Sequence, residues 1–446
     1  MKPFRNTAAI AMAMAVALTC FGALSETTPQ PGATRSQYVL RAWYKLALAL
    51  TRHTPTYSPP VASRSFGYIG ITAFEAVASS DPELQSLAGQ LNGLKAEPQR
   101  EAGQTYDEAL VLDAALALTV QDLFSNTGPT GQRALTALTE KLHGECVAGL
   151  PADVVAHSEA YGRAVAEHIL AWSRDDGGAV IENMGFPTQY SLDKDPAHWK
   201  PTSLIAQQQA PLLPNWGKNR TFAMPNGATC SLPPPPEYSE DKNSEFYKEA
   251  MEVYQTRLNL TPEQRAIGRF WADDAMASVT PPGHWVSIAL QILARDDTGL
   301  ARSVEVLARL GVALSDAFVG CWQAKYQYNL VRPVTYLNYI RNVIDPKFEP
   351  LLTTPPFPEY PSGHSTQSAA AAVVLTNLFG EDFAFRDTTD QGDGLPPHEF
   401  PSFWAAAQEA AISRMYGGIH FRAALERGLD QGRCIGGYSN TLKTRP

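Results

Sequence analysis

The sequence predicts an all-α protein built as two packed helical bundles, and three observations carry that prediction. Apolar residues recur at helical spacing in segment after segment from Gln37 onward. Period-two alternation is scarce throughout, so no convincing sheet is expected. A stretch dense in Gly, Pro, Asp and Asn divides the helical segments into two groups. With 446 residues and 44% hydrophobic content, the chain can bury a large core in one large or two packed domains. A balance of 36 basic to 45 acidic residues disfavours nucleic acid or an anionic membrane as partner. That net sign describes the surface and leaves room for a basic pocket inside.

Taken in order, residues 1–25 read as a secretory signal. Lys2 and Arg5 supply the charged start, Ala8 to Ala17 a short apolar core, and Ala23-Leu24-Ser25 the small residues of a cleavage site. The apolar run is too short for a typical spanning helix, and Thr19 before Cys20 fits a lipoprotein signal poorly. The mature chain, with no later membrane span, is expected to be periplasmic or secreted. Residues 26–175 read as an N-terminal bundle: Tyr38–Arg52, Pro60–Ala78, Tyr106–Phe124, Gly131–Leu150 and Ala152–Trp172. His143, His157 and His168 fall in this scaffold and read as structural or surface residues. Residues 176–240 are a connecting segment holding Trp199, Trp216 and the run Pro233–Pro236. A loop this long either wraps a surface and borders a pocket or simply links the bundles.

Residues 241–446 read as the second bundle. Helices are expected at Ser244–Leu258, at Thr261–Ala277 (carrying Trp271, Asp273 and Asp274), from Pro281-Pro282-Gly283, over Gly299–Lys325, and from His364, Ser402 and about Ala423. Beyond the signal lie Cys146, Cys230, Cys321 and Cys434, without metal-ligand spacing. Cys321 reads as a buried thiol; Cys146 with Cys230 is one pairing among several.

The chemistry concentrates around Phe357–His364, FPEYPSGH, at the head of a small-residue helix. Ser362 is a plausible N-cap, and Gly363 lets a ligand approach the backbone closely. Free N–H groups at a helix N-terminus attract an anion, and His364 beside them can move a proton. Upstream, Lys325 and Arg332 are seven apart, so both can point from one helical face before Pro333. Downstream, Arg414 and His420 are six apart, and Gly417-Gly418 supplies the break that brings them together. Two Arg, one Lys, one Ser, a helix N-terminus and two His describe a pocket for a compact tetrahedral oxyanion.

The triple pattern K-x6-R-P, P-S-G-H and S-R-x5-H, spread over about 95 residues, resembles the superfamily of type 2 phosphatidic acid phosphatases and vanadium-dependent haloperoxidases. Phrases such as FWADD, TPPGHW and SRMYGGIHFR make the C-terminal half more similar to the haloperoxidase branch. The resemblance implies a helical-bundle fold of that type and vanadate as cofactor. Lys325, Arg332, Ser362, the Gly363 N–H and Arg414 would bind its non-apical oxygens, and His420 would bond vanadium. It makes His364 the acid–base residue, Asp274 the carboxylate behind Arg414, and Trp322 and Phe357 the halide-side aromatics. Hydrogen peroxide would oxidise halide to hypohalous acid, with Lys325 polarising the oxidant and no haem or flavin required. The alternative is an acid phosphatase that hydrolyses a phosphomonoester through a phospho-His420 intermediate, with His364 as general acid. One departure stands out. Phosphatases often carry an Asp four residues after the axial histidine, and that position is Ala424 here, so another group must orient His420.

Overall fold

The computed structural model describes residues 34–203, 205–339 and 343–446. The signal reading of residues 1–25 lies outside them. Among the described residues five α-helices come first: α1 (Arg35–His53), α2 (Pro59–Ala78), α3 (Glu108–Leu123), α4 (Pro129–Val147) and α5 (Ala152–Ser173). Seven follow: α6 (Glu245–Leu258), α7 (Pro262–Phe270), α8 (Thr280–Arg295), α9 (Leu300–Tyr328), α10 (Gly363–Phe379), α11 (Phe403–Gly417) and α12 (Arg422–Asn440). Caps explain several starts. Thr34 and Thr261 form capping boxes with Gln37 and Gln264, and Ser244, Ser362 and Ser402 each accept a helix N–H.

Three details depart from expectation. The helix begun at Pro262 ends at Phe270, so Asp273 and Asp274 sit in a turn. Asp273 and Met276 there have φ of 49° and 69°, left-handed values through which a right-handed helix cannot continue, and Thr280, where α8 begins, has φ 66°. Helix α9 ends at Tyr328 because Asn329 turns left-handed (φ 47°), so Arg332 comes from an extended segment beyond it. A small antiparallel sheet pairs β1 (Phe385–Asp387) with β2 (His398–Phe400), strands too short for an alternation signal.

Helix α9 is the spine. Residues Ser303 to Lys325 are buried almost without interruption, and α2, α10 and α12 all pack on it. The largest cluster of buried apolar residues accordingly runs from Val39 in α1 to Leu442 just past α12. Close backbone approach makes this possible. A Cβ on Gly311 would lie 2.7 Å from the Phe66 carbonyl, and one on Gly432 only 2.0 Å from the Thr366 carbonyl. The second contact seats α12 against the first turns of α10.

The connecting segment lies over α9. The Asp316 carboxylate accepts the N–H groups of Phe222, Ala223 and Met224, and the Leu212 carbonyl accepts from Trp322 Nε1 and Tyr326 Oη. A disulfide joins Cys230 to Cys434 on α12. The candidate pairing of Cys146 with Cys230 is therefore corrected: Cys146 is a free thiol buried on α4, whereas the segment's end runs beside α12.

The glycine contact is testable by thermal denaturation. Gly432→Ala is expected to cost about 1–3 kcal/mol by overpacking. Gly437→Ala, five residues on and facing open space, should be neutral or stabilising by up to about 1 kcal/mol. Equal effects would show that α10–α12 contact does not depend on the missing Cβ.

Candidate active site

A cavity of about 380 Å³ opens where the turns between helices meet. Asp273, Gly363, His364, Arg414 and His420 line it, together with the aromatic rings of Phe318, Trp322 and Phe357 and with Met184, Phe186 and Leu212 of the connecting segment. Ser362 is fully buried; its Oγ accepts the Ser365 N–H at 3.3 Å and its own N–H donates to the Ala424 carbonyl at 3.0 Å. Among the described residues, the N–H groups of Gly363 and His364 have no acceptor, so the positive end of α10 is open to the cavity.

Three buried cations surround this end. The Lys325 ammonium donates to the carbonyls of Pro358 (2.9 Å), Glu359 (2.9 Å) and Pro361 (2.5 Å). Burial pushes its pKa down to about 7, while three acceptors favour the form with three hydrogens. Arg332 donates from Nε to the Phe357 carbonyl and from Nη1 to the Ile419 carbonyl, both at 2.9 Å, and its buried Nη2 has no partner. Arg414 donates to Ser413 Oγ and the Trp271 carbonyl. Burial lowers both guanidinium groups to about 10, so they remain charged at neutral pH.

The two histidines are held differently. His420 Nδ1 lies 2.8 Å from Glu359 Oε1, which also accepts the Phe421 N–H at 2.8 Å. That contact places the hydrogen on Nδ1 and leaves a lone pair on Nε2, 3.1 Å from Arg332 Nη1. Burial, then Arg332, Lys325 and Arg414, hold His420 well below the usual imidazole range, so it is neutral. Burial pushes Glu359 up to about 8 against the pull of Arg332 and Lys325, yet its Oε1 accepts in either protonation state.

His364 Nε2 faces Asp273 Oδ2 across 3.6 Å, and both atoms are buried without another partner. Burial and Arg414 lower His364 to about 4, against the opposing pull of Asp273. Asp273 Oδ1 is 2.9 Å from His284 Nδ1, and His284 Nε2 is 2.8 Å from Asp387 Oδ2 on β1. With a carboxylate at each nitrogen, His284 carries both hydrogens as an imidazolium; the two aspartates outweigh burial and raise its pKa well above normal. Burial alone would raise Asp273, but His284 and His364 hold it below the carboxylate range.

Comparisons with known proteins show which family the chain resembles. The family described as VCPO second helical-bundle domain matches residues 305–445. A curated relative, the vanadium chloroperoxidase of Curvularia inaequalis, is 25% identical over 495 aligned positions, covering 88% of this chain and 80% of the relative. A solved structure described as the first bacterial vanadium-dependent iodoperoxidase matches with a TM-score of 0.84 at 38% identity, over 91% of this chain and 97% of that one. The chain belongs to the vanadium-dependent haloperoxidase family. A holo-type bacterial vanadium-dependent chloroperoxidase, at 17% identity and TM-score 0.64 over 87% of this chain and 92% of that one, shares the fold.

In this haloperoxidase the residues singled out by spacing do converge, with one correction. Asp274 is exposed and, though within electrostatic reach of Arg414, makes no ion pair with it. The expected pairing assumed a helix through both aspartates. In the observed turn it is Asp273 that is buried against His364. The orienting group for His420, left open by Ala424, is Glu359, which sits inside FPEYPSGH itself. FWADD and TPPGHW meet at His284, on which Trp271 stacks with ring centroids 4.6 Å apart.

Two measurements check this site. Asp273→Ala is expected to weaken vanadate binding about 10- to 100-fold in equilibrium dialysis, with Asp274→Ala near wild type; the reverse order contradicts the assignment. The second is pH dependence. An anion raises the Lys325 pKa from its present value of about 7. Its contribution to binding is therefore complete below that pH and is lost as pH rises through the bound-state value, by at most about tenfold per pH unit. Calorimetry with phosphate should show a shallower slope for Lys325→Met, a comparison that cancels the titration of phosphate itself.

Proposed function

We propose that the protein is an exported haloperoxidase that uses vanadate and hydrogen peroxide to oxidise halide to hypohalous acid. The single observation that carries this reading is the neutral His420 Nε2, its lone pair set by Glu359, among three buried cations. The residues suit the anion. Arg332 Nη2 and the first N–H groups of α10 lack acceptors, and the local positive charge exceeds what Glu359 and Asp273 offset. Lys325, Arg332, Ser362, Gly363 and Arg414 would hold its oxygens, and His420 Nε2 the vanadium.

Bound there, vanadate supplies a Lewis-acidic centre that activates hydrogen peroxide for oxygen transfer without changing its oxidation state. The chain's residues do the rest. Glu359 keeps the His420 ring in the orientation and tautomer that present Nε2. Lys325, Arg332 and Arg414 stabilise negative charge in a site partly closed to water. His364, neutral and backed by Asp273, takes up and returns a proton at the cavity wall. Trp322 and Phe357, ring centroids 4.8 Å apart, form an apolar wall where a halide sheds water, with Lys325 Nζ 5.1 Å from the Phe357 ring. One peroxide, one halide and one proton yield one hypohalous acid and one water.

Export is supported by the signal-like residues 1–25 and by the Cys230–Cys434 disulfide, which an oxidising compartment favours. A second reading, phosphomonoester hydrolysis through phospho-His420, gains from Glu359, which orients the imidazole as a nucleophile would need.

Apo-protein should be inactive, and orthovanadate should restore triiodide formation from iodide and peroxide, with phosphate competing. His420→Ala should abolish measurable vanadate retention, whereas His364→Ala should mainly lower turnover. Vanadate at saturating occupancy with no oxidation of iodide, bromide or chloride would falsify the reading, and vigorous p-nitrophenyl phosphate hydrolysis would install the second.

A further inference from the structure

The exposed large apolar side chains among the described residues include two that line the cavity, and both are methionines: Met184 and Met276, 45% and 51% exposed. They approach from opposite parts of the chain. Met184 belongs to the connecting segment and Met276 to the turn that carries Asp273. Each has a left-handed backbone, φ 55° and 69°, a conformation an unbranched non-glycine residue adopts only when its surroundings impose it. The sequence has eight methionines, and the others within the described residues are placed differently. Met224 and Met415 are buried at 0% and 1%, and Met251 is half-buried on α6, outside the cavity. No accessible thiol competes among the described residues, because Cys146 and Cys321 are buried and Cys230 and Cys434 are bonded to each other.

We propose that Met184 and Met276 form an oxidisable rim, a pair of self-modification sites at which the hypohalous acid leaving the cavity converts thioether to sulfoxide. This rests on the halide-oxidising reading above. The thioether is a soft nucleophile, and because both side chains line the cavity and are also exposed, product leaving the cavity meets them before it is diluted into bulk. A sulfur lone pair attacks the halogen of the hypohalous acid, forming a sulfur–halogen bond and releasing hydroxide. Water then attacks sulfur, the sulfur–halogen bond breaks, and halide and two protons leave. One proton neutralises the hydroxide. The sum is thioether plus hypohalous acid giving sulfoxide, halide and one proton; sulfur loses two electrons and the halogen gains them. The halide is returned at the mouth of the cavity that uses it. Two apolar groups at the entrance become polar, which disfavours entry of apolar molecules.

The test is peptide mass spectrometry on vanadate-loaded full chain during turnover of iodide and peroxide, with triiodide followed in the same tube. Peroxide without iodide sets the baseline, and hypoiodite added to vanadate-free protein sets the pattern for oxidant arriving from bulk. The expected result is one added oxygen on the Met184 and Met276 peptides well before Met251, with a several-fold larger preference than bulk hypoiodite gives. Triiodide formation with Met251 oxidised as fast, or with the preference bulk reagent gives, overturns the rim while leaving halide oxidation standing. Absence of triiodide overturns both. Met184→Leu and Met276→Leu, tested singly, guard against one site masking the other; in each, the remaining rim methionine must keep its lead over Met251.

Discussion

Burying Lys325, Arg332 and Arg414 around one small space is the constraint on which the rest of the structure depends. Each is fully or nearly fully out of water, and burial lowers the pKa of all three. Uncompensated charge at such depth costs several kcal/mol per ion. The protein meets that cost with backbone carbonyls: three on Lys325, two on Arg332 and one on Arg414. Those carbonyls belong to the segment 357–361, to Ile419 and to Trp271, so the loops carrying the histidines are the same loops that solvate the cations. Fold and site are one arrangement. What carbonyl dipoles leave undone is full charge neutralisation, and an oxyanion completes it.

The same economy separates the two histidines. His420 takes its carboxylate from the loop before α10, and that contact turns one nitrogen into a fixed donor and the other into a fixed acceptor. His364 faces a carboxylate that is itself anchored, through His284, to the small sheet. Asp273 cannot move without disturbing a doubly bonded imidazolium, so its free oxygen stays aimed at His364. Identical side chains thus acquire different tasks from the stiffness of what stands behind them.

Much of this was legible in the chain. Helices with strong periodicity and a capping residue, such as those started by Ser244, Thr261 and Ser402, begin where the sequence says. The motif residues converge because Gly418, with φ 74°, bends the chain between Arg414 and His420 as the Gly-Gly pair implied. The failures have local causes. The resemblance points to Asp274, and nothing in the periodicity warns that α7 stops at Phe270 or that the left-handed Asp273 is the carboxylate turned inward. Glu359 carries no local signal, because the position four residues after His420 is Ala424 and the orienting carboxylate lies 61 residues upstream. The disulfide joins residues 204 apart, a proximity that only the packing of α12 creates.

One oxyanion is expected at the head of α10, with its central atom on His420. A crystal structure of vanadate-soaked protein tests it most directly. The expected result is vanadium bonded to His420 Nε2, Glu359 still on Nδ1, and oxygens within hydrogen-bond distance of Arg332, Arg414 and the Gly363 N–H. Vanadium on His364, or vanadate bound elsewhere with the three buried cations untouched, would contradict it.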